Sequence, residues 1–157
     1  MISEERLEQH MKLKGFNQFQ AEIDYLQEIV LYQIMTTHGD DFIFKGGTAL
    51  AKCYNMPRFS IDLDFVLHRP KNKVTLDIEA VLKGLNEAGY PSKENWNKQE
   101  RRIKIEGITY DGNPNTVRTI GLDISDKEKI SKTPQLHRLG KHIEEIAEFD
   151  CYVLHER

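Results

Sequence analysis

The stretch Phe44-Lys45-Gly46-Gly47-Thr48-Ala49-Leu50, followed after Tyr54 by Pro57-Arg58-Phe59-Ser60-Ile61-Asp62-Leu63-Asp64-Phe65, decides how this 157-residue chain is read. In its second part Ile61, Leu63 and Phe65 alternate with Ser60, Asp62 and Asp64. A period of two makes residues 60–68 a strand, with Asp62 and Asp64 on one face and the apolar residues on the other. The first part begins as a short buried strand, residues 42–44, which Gly46-Gly47-Thr48 turns into a brief helix with Ala49, Leu50, Ala51 and Tyr54 inward. Pro57 ends that helix, because it lacks an amide donor and disfavours helical geometry at Met56. Glycines between a strand and a helix permit close backbone approach, and the helix start offers unpaired N–H groups, a combination suited to phosphate.

Upstream, Phe19, Ile23, Leu26, Val30 and Ile34 recur at spacings of four and three, which predicts a helix over residues 17–37. Downstream, Leu76, Ala80, Val81, Leu85 and Ala88 predict a second amphipathic helix over residues 74–89, stopped by Gly89. Residues 101–110 alternate as a strand with a break at Gly107, and residues 111–115 carry turn chemistry. Residues 117–125 form another strand, whose Ile120, Leu122 and Ile124 leave Asp123 on the polar face. A helix is expected over residues 135–149 and a strand-like fragment over 151–154. If the two aspartate-bearing strands are neighbours, Asp62, Asp64 and Asp123 converge. Clustered carboxylates do not all stay ionised without a cation, most naturally Mg²⁺. A nucleoside triphosphate fits between such a metal site and the glycine turn.

Length and composition allow one domain. Apolar residues make up 39% and charged residues 30%, which places the chain among globular proteins. No run approaches the ~18 apolar residues of a membrane span, so no membrane partner is expected. The first dozen residues lack the apolar core of a secretory leader. Two cysteines, Cys53 and Cys151, do not make a disulfide scaffold, and a reducing cytoplasm is the expected location. With a net charge of −3, any contact with nucleic acid must be local. Residues 127–142 carry Lys127, Lys129, Lys132, Arg138 and Lys141 with His137 and His142 against the single acid Glu128, and residues 143–150 reverse the sign. Such blocks read as solvated faces or as phosphate contacts. The six histidines have no metal-type spacing, and Trp96 has no role beyond a stacking surface near Lys98, Arg101 and Arg102.

The combined Gly-Gly, Arg-x-Ser and Asp-x-Asp spacing, with Ile120-Gly121-Leu122-Asp123-Ile124-Ser125, resembles the AbiEii/AbiGii-type nucleotidyltransferases over residues 16–125. That family is a branch of the polymerase-beta-like superfamily that includes toxins of bacterial toxin–antitoxin and phage-defence systems. The resemblance implies an α/β (α+β) nucleotidyltransferase core, a mixed sheet flanked by helices. Asp62 and Asp64 would be the metal-binding pair and Asp123 the third carboxylate, holding Mg²⁺ or Mn²⁺ and assisting deprotonation of the acceptor. Gly46, Gly47 and Thr48 would hold the β- and γ-phosphates of the NTP. Arg58 and Ser60 flank the aspartates, Arg58 reading equally as a phosphate ligand or as an ion-pair partner of Asp62 or Asp64. The implied activity is metal-dependent transfer of an NMP group from an NTP to a hydroxyl of RNA, tRNA included, or of a protein, with an antitoxin as a further partner. Family members are usually longer, so residues 1–157 are expected to form a single minimal domain without most of the C-terminal helical region. The alternative is a catalytically idle module that binds nucleotide or a partner; three retained carboxylates favour the enzyme.

Overall fold

The computed structural model describes residues 2–67, 78–97, 102–108, 117–125, 130 and 132–154. The chain starts with a helix that the hydropathy pattern does not announce, α1 (Glu4–Lys14). Its ends are well signalled: the Ser3 side chain accepts from the Arg6 amide, Glu4 and Glu5 face the positive end of the helix dipole, Lys12 and Lys14 lie in the last turn, and Gly15 caps it in the left-handed region. The long helix α2 (Gln18–His38) matches the expectation, and Asn17 and Gln20 close its first turn as a reciprocal capping box. A single 3₁₀ turn at residues 39–41 leads into β1 (Phe42–Lys45), α3 (Gly46–Cys53) and β2 (Leu63–Leu67). Next come α4 (Ile78–Glu87), β3 (Lys93–Asn97), β4 (Arg102–Ile108) and β5 (Val117–Ser125). The chain continues through β6 (Gln135–Leu139) and β7 (Phe149–Val153).

The strands form one seven-stranded mixed sheet in the order β3-β4-β5-β2-β1-β7-β6. β2 runs parallel to β5 and β1 parallel to β7; the other pairs are antiparallel. One core cluster joins Leu26, Ile29 and Val30 of α2 to Phe44, Leu63, Phe65, Ile105, Ile120 and Leu122 of the sheet. By alternation Lys45, Asp64 and Asp123 take the opposite face. Ile43 and Val66, register partners on that face, are fully buried yet stand outside the main cluster. No helix among the described residues is long and apolar enough to cross a membrane.

Three expectations need correction. Residues 135–149 are not helical: β6 and β7 pair antiparallel, with Leu139 opposite Phe149. Between them, isolated i to i+3 bonds link Ile143 to Gly140 and Ile146 to Ile143. Ile143 and Ile146 both reach the core, so two separate turns reproduce the spacing of a helix. Gly107 does not break β4; it pairs with Arg118, and a Cβ there would come within 2.9 Å of Leu26, so the glycine serves helix-to-sheet packing. Strand β2 is shorter than residues 60–68, leaving Ser60, Ile61 and Asp62 ahead of it. Helix α4 covers the later part of residues 74–89. The expected turn at 111–115, residues 74–77 and the side chain of Trp96 lie outside the described set.

Phe65 is 1% exposed and meets the rings of Phe42 and Phe44, whereas Leu136 on edge strand β6 is 54% exposed. Phe65→Ala is expected to cost about 3–5 kcal/mol, and Leu136→Ala to stay within about 0.5 kcal/mol of wild type. Urea denaturation followed by circular dichroism measures both.

Candidate active site

Asp64 and Asp123 are direct partners across the parallel strands β2 and β5. The row extends both ways, with Lys45 of β1 opposite Asp64 and Arg102 of β4 opposite Asp123. Four neighbouring strands therefore carry Lys, Asp, Asp and Arg in one register row, two acids bracketed by two basic positions. Asp123 is exposed, and Asp64 and Lys45 are half-buried.

Asp62 lies one residue before β2, and its Oδ1 accepts the Gly121 amide at 3.0 Å. Main-chain pairing of β2 with β5 begins at Leu63 and Leu122, so the Asp62 carboxylate adds a rung at the end of the ladder. Its own carbonyl accepts the Thr48 hydroxyl at 2.5 Å. Among the described residues no three His, Cys, Asp or Glu side chains stand together so as to hold a metal ion. What register opposes directly is the pair Asp64 and Asp123, with Asp62 directed to the backbone of β5. A carboxylate pair still suits Mg²⁺, which keeps several waters and binds through one or two carboxylates together with substrate phosphates.

Gly46, Gly47 and Thr48 form the first turn of α3 itself rather than a turn preceding it. Gly46 has φ +81, and a Cβ there would overlap the Asp64 carboxylate. A Cβ on Gly47 would lie 2.9 Å from the Arg58 guanidinium. Both glycines let the start of α3 press against side chains expected to be functional. Arg58 stands beside that first turn, and the N-cap residue Lys45 supplies no side-chain cap to the helix.

Thr48, Arg58 and Ser60 line a cavity of about 630 Å³ between α1, α2, α3 and the connection from β6 to β7. Gly46, Gly47, Asp62, Asp64 and Asp123 do not line it. The eight expected residues thus fall in two places, the polar face of the sheet and the mouth of this cavity.

The cavity also reaches a buried charged group that the hydropathy pattern hides. Asp24 of α2 accepts from Lys52 Nζ at 2.6 Å and bonds His10 Nε2 at 2.8 Å. Burial alone would raise the Asp24 pKa, but attraction to Lys52 and the bonds from His10 and Lys52 outweigh it and hold the carboxyl well below its usual range. Burial would likewise lower Lys52, yet Asp24 and Glu28 raise it. Glu28, one turn after Asp24, is pushed up, chiefly by burial, with Lys52 opposing. Gln27 on the same helix donates to the carbonyls of Ser60 and Ile61 at 2.8 and 2.7 Å, fixing the approach to β2. The signal available in the sequence was the spacing of Asp24, Gln27 and Glu28 at three and four along α2, which aligns polar groups on one face.

The sequence pattern described as nucleotidyl transferase AbiEii toxin, type IV TA system, matches residues 29–156. The chain belongs to the AbiEii family. The match includes all eight expected site residues and Lys52, whereas His10, Asp24 and Glu28 precede it. No curated protein and no solved structure matches this chain. AbiEii proteins are nucleotidyl transferase toxins, and the mixed α/β sheet described above agrees with a fold of that type.

Two substitutions test this geometry. Gly46→Ala is expected to destabilise the chain by more than the ~1 kcal/mol cost of a strained φ, because its methyl must displace Asp64; Gly47→Ala, opposed only by a flexible guanidinium, should cost less. Thermal melting of both variants ranks them. Asp24→Asn, which removes the carboxylate that buried Lys52 donates to, is expected to cost about 3–5 kcal/mol at pH 7. Because the Asp24 pKa is depressed on folding, its contribution is complete above the ordinary carboxylate value of about 4 and is lost as pH falls toward the folded value. Urea midpoints between pH 3 and 7 should therefore fall more steeply with acid for wild type than for the variant.

Proposed function

We propose that this chain transfers a nucleotidyl group from a nucleoside triphosphate to a hydroxyl of an RNA or protein acceptor, as the toxin of a toxin–antitoxin pair. The observation that carries the reading is the direct opposition of Asp64 and Asp123 on β2 and β5, with the first turn of α3 packed against Asp64. Asp64 and Asp123 would hold Mg²⁺ or Mn²⁺, with Asp62 beside them. Such an ion supplies two things when bound, a lower pKa for the attacking hydroxyl and neutralisation of charge on the departing pyrophosphate. The chain's own groups do the rest. The N-terminal amides of α3 at Gly46, Gly47 and Thr48 point positive dipole toward phosphate oxygens. Arg58, set beside Gly47, offers a guanidinium fork to the same oxygens, with Ser60 close by in the chain. Asp123, the exposed member of the pair, is the group best placed to accept the acceptor's proton. Family membership supports the nucleotidyl chemistry and an antitoxin partner.

The test is label transfer. Each labelled NTP is incubated with the chain, Mg²⁺ and either total RNA or a panel of proteins. Wild type should transfer label from at least one NTP, and Asp64→Asn or Asp123→Asn should reduce transfer by about a thousandfold or more, the scale of lost charge stabilisation in an active site. Circular dichroism should remain unchanged, since neither residue enters the core. Undiminished transfer by the variants, or transfer in excess chelator, would refute the assignment. Wild type inactive with every NTP and acceptor would favour the idle binding module instead.

A further inference from the structure

A buried amide on α2 serves the chain that enters β2. Gln27 is 1% exposed, and its neighbours Leu26, Ile29 and Val30 belong to the core. Burying an amide costs free energy unless it is hydrogen-bonded, and a methionine there would fill a similar volume without that cost. The Gln27 Nε2 donates to the Ser60 carbonyl at 2.8 Å and to the Ile61 carbonyl at 2.7 Å. The next carbonyl, that of Asp62, accepts the Thr48 hydroxyl at 2.5 Å. Successive carbonyls at residues 60, 61 and 62 are therefore held by side chains of α2 and α3.

This grip does not have the geometry of a strand. Along an extended strand successive carbonyls point to opposite edges, so one nitrogen cannot bond two in a row. Gln27 bonds both, which requires the backbone to turn at residues 60 and 61 and to become extended only where β2 begins, at Leu63. The same bonds explain why the alternation that starts at Ser60 does not produce a strand there. Asp62 lies between the turn and the ladder, and its Oδ1 accepts the Gly121 amide of β5 at 3.0 Å. Asp64, two residues further on, stands opposite Asp123.

We infer that Gln27 is a positioning residue for the carboxylate site. Its amide fixes the turn at residues 60 and 61 and, through that turn, sets Asp62 against β5 and Asp64 opposite Asp123. It acts through main-chain carbonyls. The AbiEii match begins at residue 29 and so assigns Gln27 no role. The consequence for catalysis rests on the nucleotidyl-transfer reading, whereas the placement of Asp62 does not.

Two variants of the full chain test the inference. Gln27→Met keeps the length of the side chain and removes both N–H donors; Gln27→Asn keeps the amide and draws it back by a methylene. Leu7→Ala, a truncation of a buried residue on α1, is the control for lost stability alone. Hydrogen exchange followed by NMR reads the Gly121 amide, with the global stability of each variant taken from urea denaturation. Beyond what global stability accounts for, exchange at Gly121 should be faster by about tenfold or more in both Gln27 variants, the scale of a lost hydrogen bond. In label transfer at saturating Mg²⁺, kcat should fall by about tenfold to a hundredfold, the scale of a displaced catalytic group. KM for the NTP should stay within about twofold of wild type, since phosphate binding is not what is lost. Leu7→Ala should show neither effect. Gly121 exchange that global stability fully explains, or an unchanged kcat in an active chain, overturns the inference. Loss of the fold in both Gln27 variants also overturns it, making the residue a packing element. A wild-type chain that transfers no label refutes the nucleotidyl reading instead, and exchange at Gly121 still decides whether Gln27 places Asp62.

Discussion

The polar face of this sheet depends on how closely the first turn of α3 approaches the start of β2. A side chain at position 46 would occupy the space of the Asp64 carboxylate, so the approach exists only because glycine stands there. Thr48, in the same turn, holds the Asp62 carbonyl, and Gln27 of α2 holds the two carbonyls before it. The segment entering β2 is thereby fixed from two helices at once. Lys52, about one turn beyond Thr48 on α3, joins Asp24 and ties the two helices together. Disturbing any of these contacts moves the aspartates without touching them.

Charge is distributed in two regimes. On the sheet face the acids are exposed or half-buried, and water or a ligand can answer them. On the helical side the pair of Asp24 and Lys52 is buried and answered by the protein itself. Besides Asp24, Glu22 is fully buried against Arg118, whose guanidinium also lies over the Phe19 ring at 5.1 Å. Buried pairs of this kind recover little net stability relative to apolar replacements, but removing one partner leaves a costly lone charge. They therefore act as locks on geometry more than as sources of stability. The acidic segment near the end of the chain has a related role. Glu144 meets Arg6, Glu145 accepts from Tyr25 and Tyr90, and Asp150 pairs with Arg138. Residues that read as a solvated face bind α1, α2 and the neighbouring strand together.

Periodicity made much of the framework legible. Apolar spacing located α2 to within a residue at each end, and alternation located β5, because both patterns report burial on one side of a regular element. The same logic failed where burial was discontinuous. Ile143 and Ile146 reach the core from two separate turns and imitate a helix. The segment Lys93–Asn97 becomes β3 without any alternation of its own, held by pairing with β4. Helix α1 went unread because it buries little, Leu7 and His10 among its eleven residues, so only its caps betray it. The opposition of Asp64 and Asp123 followed from alternation plus adjacency, whereas the direction of the Asp62 carboxylate did not, since spacing assigns a face and not a hydrogen-bond partner. The buried group around Lys52 was illegible for a related reason: it is assembled from α1, α2 and α3, and no local pattern states what α3 sets opposite Asp24.

The rung formed by Asp62 and the Gly121 amide spans 59 residues of sequence. Because β2 and β5 run parallel, no tight turn can join them, and the intervening chain must be crossed before they meet. Contacts of such separation form after loop-closure entropy has been overcome, and they slow folding. A chain emerging from the ribosome therefore presents the Asp62 and Asp64 segment well before its partner strand exists. The paired-aspartate face comes into being only once β5 has been synthesised and docked.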